Sequence, residues 1–195
     1  MIYDISQGVF GCANYPTHPS ASKHKVKDMD KTDVYNLTCF SMCAHNGTHV
    51  DAPCHFIKDG KTIDQMPLEA FIGPACVVPF QGEISANDAL SLLQRNHNTK
   101  RLLIKGDAIV TLEAAEIFAQ ADLLLLGSES CCIGPIKAPL AVHKALLQKD
   151  VVLLEGIRLN EVNEGMYFLS AAPLNLEGSD GAPCRAYLMD RSSYE

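Results

Sequence analysis

Residues 101–155, RLLIKGDAIVTLEAAEIFAQADLLLLGSESCCIGPIKAPLAVHKALLQKDVVLLE, carry the clearest alternation in the chain. Arg101–Lys105 reads as a buried strand, and Thr111 is a good N-cap for a helix running to about Gln120. Asp122–Leu126 reads as a strand and 138–148 as a helix approached through Pro135 and Pro139. Val151–Glu155 is a strand again. A β-α-β-α-β order requires parallel pairing with right-handed crossovers. Outward from this block, Ile2–Ile5, Leu37–Cys43, Pro74–Phe80, Tyr167–Ser170 and Arg185–Met189 read as further strands. Ala86–Asn96, apolar at 89, 90, 92 and 93, reads as a helix. Residues 6–36 differ: Gly8, Gly11, Pro16, Pro19 and a charged stretch from Lys23 to Asp33 predict an extended arm or lid. The fold class is α/β, a mixed β-sheet with flanking helices, and 195 residues suit a single domain over 1–195.

Acidic residues outnumber basic ones 23 to 16, a net charge of −7 with no Lys/Arg cluster. Phosphate binding needs a basic face, so nucleic acid is a poor partner. The N-terminus, MIYDISQGVF, has neither a basic nor an apolar region of the signal-peptide kind. Apolar runs such as Leu123–Leu126 fall far short of the ~20 residues of a membrane span. The expectation is a cytoplasmic protein with no membrane contact. In that setting the eight cysteines read as reduced thiols used as small hydrophobes, and no CxxC suggests a zinc ribbon.

Three of the seven histidines fall between His45 and His55, in HNGTHVDAPCHF (45–56). His45, His49, Asp51 and His55 all sit at odd positions, which share one face of an extended chain. His49 and Asp51 would then stand about 6.6 Å apart at ~3.3 Å per residue, close enough to converge on one ion. His45 is too far unless the chain bends, and Gly47 permits that bend. Two imidazoles and a carboxylate with open positions form the ligand set of a catalytic divalent site. A polar hydrogen-bonding cluster at a turn is the alternative. Read singly, His143 in the helix 138–148 is a packed histidine, near Leu140 and Leu147 on an apolar face. Glu155, at the end of VVLLE, is an ordinary strand end, though α/β domains present functional groups there.

The stretch HNGTHVDAPCHF resembles the HxGTHxDxPxH signature of the cyclase family of metal-dependent hydrolases, which includes bacterial kynurenine formamidase (arylformamidase) and isatin hydrolase. YDIS (3–6), DGKTIDQMPLEAFIGPACVV (59–78) and residues 143–188 resemble the same family, so the likeness spans nearly the whole chain. The resemblance implies the family's swivelling β/α/β fold and a hydrolase cleaving an amide-type C–N bond with metal-activated water. It implies two divalent ions, zinc or manganese. His45, His49 and Asp51 would hold the first, and Asp51, His143 and Glu155 the second, with Asp51 bridging. His55 would be the acid/base histidine. It further implies a small-molecule substrate and a homo-oligomer, dimer or tetramer.

Two departures bear on the substrate. Formamidases of the family usually place an aromatic residue, often Trp, in the N-terminal arm, and this chain has no Trp. Its arm offers Phe10, Tyr15 and His18 as candidate substrate-binding residues. Before the His143 helix, the family's GxDxxS-like stretch is replaced by Gly127-Ser128-Glu129-Ser130 and then Cys131-Cys132. A formamide, an isatin-like ring, another cyclic amide or a lactone all remain open. So do a cysteine hydrolase using Cys54 or Cys131 and a non-catalytic metal-binding homologue. Thr48 and Asn46 are expected to brace the loop, and Arg185 to pair with a buried carboxylate in preference to the alternative, binding an anionic substrate.

Overall fold

Successive residues of the central strands alternate between two packed layers, the period-2 pattern that buries both faces of a sheet. Leu102 and Ile104 pack with the helices, whereas Leu103 packs on the opposite face. Leu153 and its neighbours Val152 and Leu154 divide in the same way. This computed structural model describes residues 1–97 and 99–190. The elements, in chain order, are β1 (Ile2–Asp4), β2 (Ser22–Lys27), β3 (Leu37–Ser41), β4 (His49–Asp51), β5 (Ile72–Pro79), β6 (Gly82–Ile84), α1 (Ala86–Arg95), β7 (Arg101–Lys105), β8 (Ala108–Val110), α2 (Leu112–Ala119), β9 (Leu125–Ser128), α3 (Leu140–Leu147), β10 (Val152–Glu155), β11 (Gly165–Ser170), β12 (Gly181–Pro183) and β13 (Tyr187–Met189).

Nine strands form one sheet in the order β1-β13-β11-β5-β7-β9-β10-β4-β12. Its centre, β5-β7-β9-β10, is parallel, and both flanks are antiparallel. The parallel block is the one read from residues 101–155. Just beyond β1, the Ile5 N–H donates to Ala186 O at 3.0 Å, and Ile5 O accepts from Arg158 N at 2.8 Å. Those bonds join the chain after β1 to the segments after β12 and β10, so the sheet curls. The three helices cover one face. The predicted cap is present on α2, where Thr111 accepts from the Ala114 N–H, and α1 is capped likewise by Ser85, which accepts from the Asp88 N–H.

Four elements differ from the sequence reading. The short β6 and β8 pair with one another in parallel beside the main sheet. Part of the presumed arm, β2, forms an exposed antiparallel hairpin with β3. Asp180-Gly181 is a turn signal in the sequence, yet Gly181–Pro183 forms β12, an edge strand on β4. Arg185 pairs with Asp4, Nε to Oδ1 at 2.9 Å, but both side chains are exposed, so the carboxylate is not a buried one. On α3 the buried face is Val142, His143, Leu146 and Leu147, while Leu140 is exposed. No helix among the described residues is long and apolar enough to cross a membrane.

Candidate active site

The site is assembled on the helix-covered face where β4 and β10 lie side by side. Val50 points into the opposite core layer, so His49 and Asp51 point toward the helices. Register sets Glu155 opposite His49 and Leu153 opposite Asp51. Glu155 is the last residue of the parallel strand β10. His143 comes down from α3 onto the same spot. His45 reaches it because Gly47 adopts φ +71°, the left-handed bend that glycine allows without strain. Beyond that bend, the Thr48 hydroxyl donates to Gly156 O at 2.7 Å and accepts from Gln7 N at 3.0 Å. The Asn46 amide accepts from Cys43 N and donates to Asn14 and to Pro19 O, tying the N-terminal arm to the loop. Both residues brace the loop as expected.

His45, His49, Asp51, His143 and Glu155 are all buried and line one cavity of about 230 Å³, with His55, Phe56, Tyr15 and His18 on its walls. The tautomers follow from the backbone. His49 Nδ1 lies 3.1 Å from Gly47 O and His143 Nδ1 2.9 Å from Pro139 O. A carbonyl only accepts, so both Nδ1 atoms carry the proton and both Nε2 atoms turn inward. Asp51 presents Oδ1 to His49 Nε2 at 3.5 Å and Oδ2 to His143 Nε2 at 3.7 Å. Glu155 likewise presents Oε2 to His49 Nε2 at 3.5 Å and Oε1 to His143 Nε2 at 3.2 Å.

Among the described residues, these two carboxylates are thus buried without Lys or Arg beside them, and such charges require a cationic partner. The histidines show the demand. Burial depresses the His45 imidazole, but hydrogen bonds to Asp180 and Asp51 override it and raise it to about 10. Burial also depresses His143, and Glu155 and Asp51 again lift it above the ordinary histidine range. Divalent cations could take the place of those protons. The donor sets His45/His49/Asp51 and Cys132/His143/Glu155 each have their ligand atoms within 4.8 Å of one another. The residues present therefore fit the implied ions.

Two participants were not found from sequence. Asp180 Oδ2 accepts from His45 Nε2 at 3.0 Å and from His55 Nδ1 at 2.9 Å. These bonds hold its carboxyl far below the usual range. Cys132 is buried beside His143 and Glu155. Of the three arm residues, Tyr15 and His18 reach the cavity: His18 stands 5.0 Å from Tyr15 and 5.7 Å from His45, ring centre to ring centre. Phe10 does not; it packs on Phe40 and Lys23 and lines a separate hollow of about 830 Å³. Burial raises the thiols of Cys54 and Cys131, which leaves them protonated and poor nucleophiles at neutral pH.

A curled mixed sheet with a buried His/Asp/Glu cluster at its strand ends defines an α/β protein whose side chains could hold a divalent cation. The chain belongs to the cyclase family: the family profile described as "Putative cyclase" matches residues 3–133. A kynurenine formamidase of Salinibacter ruber is 35% identical over 179 residues, covering 84% of each chain. A solved structure described as a potential metal-dependent hydrolase with cyclase activity superposes with a TM-score of 0.83 at 27% identity, covering 98% of both chains. Isatin hydrolase A from Labrenzia aggregata shares the fold, with a TM-score of 0.84 over 96% of this chain and 93% of its own, at 18% identity.

Proposed function

We propose that this protein is a metal-dependent amidohydrolase of the cyclase family, kynurenine formamidase-like, cleaving the C–N bond of a formamide or cyclic amide. The observation that carries the reading is Asp51, whose two oxygens face the inward nitrogens of two different histidines. That is how a carboxylate bridging two cations would be disposed. His45, His49 and Asp51 would hold one ion and Asp51, His143 and Glu155 the other, as zinc or manganese. When bound, such ions act as Lewis acids and make water acidic enough to serve as a nucleophile near neutral pH.

The chain's own groups supply the rest. His55 gives its Nδ1–H to Asp180, which leaves Nε2 to take a proton from attacking water and return it to the departing nitrogen. Stacking on His45, with ring centres 4.0 Å apart, and edge contact with Phe56 at 4.4 Å hold that imidazole in place. Tyr15 and His18 form the substrate wall. His18 Nδ1 is buried with no hydrogen-bond partner among the described residues, so it is available to a substrate polar group. The partner is a small molecule rather than nucleic acid or membrane, and the protein works as a homo-oligomer. All eight cysteines are free, as a reducing compartment such as the cytoplasm would keep them.

The test is metal removal and add-back on a panel of aryl formamides, isatins, lactams and lactones. Chelation should abolish turnover, and zinc or manganese should restore it. His49→Ala or Asp51→Ala should lose metal, whereas His55→Ala should keep metal and lose about 10²-fold or more in kcat. A His49→Ala protein with wild-type metal content and turnover would sink the assignment. Preference for an isatin-like ring would change the substrate class and leave the centre intact. Bound metal with no turnover on any member would mark a non-catalytic homologue.

A further inference from the structure

We propose that Cys132 is a thiolate ligand of the second cation, beside His143 and Glu155, and that it biases that position toward zinc. The inference rests on the reading that Asp51, His143 and Glu155 hold a cation. Its basis is geometric: the Cys132 sulfur, a His143 nitrogen and a Glu155 oxygen all lie within 4.8 Å of one another, and all three residues are buried. The Cys132 thiol has no hydrogen bond among the described residues, whereas the buried Cys76 thiol donates to Arg95 O at 3.4 Å. A buried sulfur facing an imidazole nitrogen and a carboxylate, with no acceptor of its own, is placed as a ligand.

The loop that carries it is built, not loose. Cys132 N donates to Ser130 Oγ at 3.2 Å, and the next N–H, Ile133, donates to Glu155 Oε1 at 2.7 Å. Ser130 O and Ser128 O accept from Gly156 N and Ile157 N, at 2.8 and 3.2 Å, in the segment that follows β10. On the other side, a Cβ on Gly134 would stand 3.0 Å from Val142, so the loop also packs closely on α3. The sulfur is therefore held at a fixed place between α3 and the end of β10. On binding, the S–H bond breaks heterolytically; the proton leaves to water and the sulfur pair goes to the ion. Thiolate is a soft donor, favouring zinc over manganese, which prefers oxygen. Ligand count alone does not choose between the two metals; a sulfur does.

Cobalt(II) tests this directly. Metal-free full-length protein is titrated with Co²⁺ under anaerobic conditions and followed by absorption. Ligand-field bands in the visible report occupancy, and a sulfur-to-cobalt charge-transfer band in the near ultraviolet reports the thiolate. The wild-type protein should show both. Cys132→Ser should keep the visible bands and lose the near-ultraviolet one, and Cys131→Ser should keep both. In competition titrations Cys132→Ser should weaken zinc by about tenfold or more and manganese by less than about threefold. Cobalt occupancy without the charge-transfer band, or a band that survives in Cys132→Ser, overturns the ligand assignment while leaving the cation site standing. No cobalt binding at all overturns the cation site, and the ligand assignment with it. The wild-type spectrum decides even if the serine variant fails to fold, which circular dichroism would show.

Discussion

Asp180 uses one oxygen to accept from two imidazoles, His45 on one side and His55 on the other. On the proposed reading it would orient the candidate ligand His45 and the candidate acid/base His55 together, in the way outer carboxylates fix the tautomers of ligand and catalytic histidines. Asp180→Ala should lower kcat by about 10²-fold at saturating metal, with KM near wild type and Asp180→Asn in between. Steady-state kinetics on metal-saturated protein reads this; a wild-type kcat in Asp180→Ala would remove Asp180 from the reaction. The residue was not legible in the sequence because Asp180-Gly181 is an ordinary turn pair, and its partners lie 125 and 135 positions away. His45, His49 and Asp51 were legible because strand parity and one glycine bring them together locally. His143 and Glu155 became candidate ligands only through the resemblance, since neither position carries a decisive local signal. His45 also sets a pH response. Its folded-state pKa is raised from 6.5 to about 10, so in metal-free protein its protonation stabilises fully below pH 6.5. That contribution fades as pH rises toward 10. The melting temperature of chelated protein should fall across that window, and zinc should flatten the fall by replacing the proton. An unchanged melting temperature in chelated protein from 6.5 to 10 would show that His45 is not the proton carrier.

At the scale of elements, the site depends on two crossing bends. Gly47 and Gly156 take φ of +71° and +70°, and a Cβ on Gly156 would lie 2.6 Å from Gly47 O. The chain after β10 and the loop before β4 thus touch backbone to backbone, which brings His45 and Glu155 to one cavity. Nothing in the local sequence announces that contact, because it joins segments more than a hundred residues apart. The same separation hid β12, whose GAP stretch becomes a strand only because β4 offers an unpaired edge. The helices, by contrast, were legible locally, α1 from its apolar spacing and α2 from its cap. Thr111 accepts from Ala114 N at 3.3 Å, and its hydroxyl donates to Ile84 O at 2.7 Å, joining α2 to β6. Thr111→Ala should cost about 1 kcal/mol of stability. Urea denaturation measures it, and metal content and turnover should not change, because α2 carries no site residue. A variant as stable as wild type would show that the cap contributes nothing to α2.

Over the whole molecule, the core and the site account for the nine-stranded sheet and its helices, yet among the described residues β2 and β3 pair with no other strand than each other. Every residue of β3 is exposed, and Leu37, Phe40, Val34 and Tyr35 present apolar surface on the hairpin and its connection. Beside it lies the hollow of about 830 Å³, walled by Phe10, Phe40, Met42 and Leu174 and edged by the exposed Asp4–Arg185 pair. A two-stranded hairpin is marginal in water by itself, and contiguous apolar surface of this kind normally marks an interface. The hairpin also follows directly from the segment that delivers Tyr15 and His18 to the cavity, so whatever holds the hairpin also steadies that wall of the cavity. A second copy of the chain is the occupant consistent with both features, because an apolar hairpin and an apolar hollow on the same molecule can be satisfied by a two-fold pair. Light scattering on a sizing column should give twice the chain mass of 21.2 kDa, or a multiple of it. Phe40→Asp should shift the protein toward monomer and raise KM for the preferred substrate more than it lowers kcat, since the candidate metal ligands and His55 lie on other elements. A wild-type protein that stays monomeric at micromolar concentration, with full turnover, would show that the hairpin face serves something other than self-association.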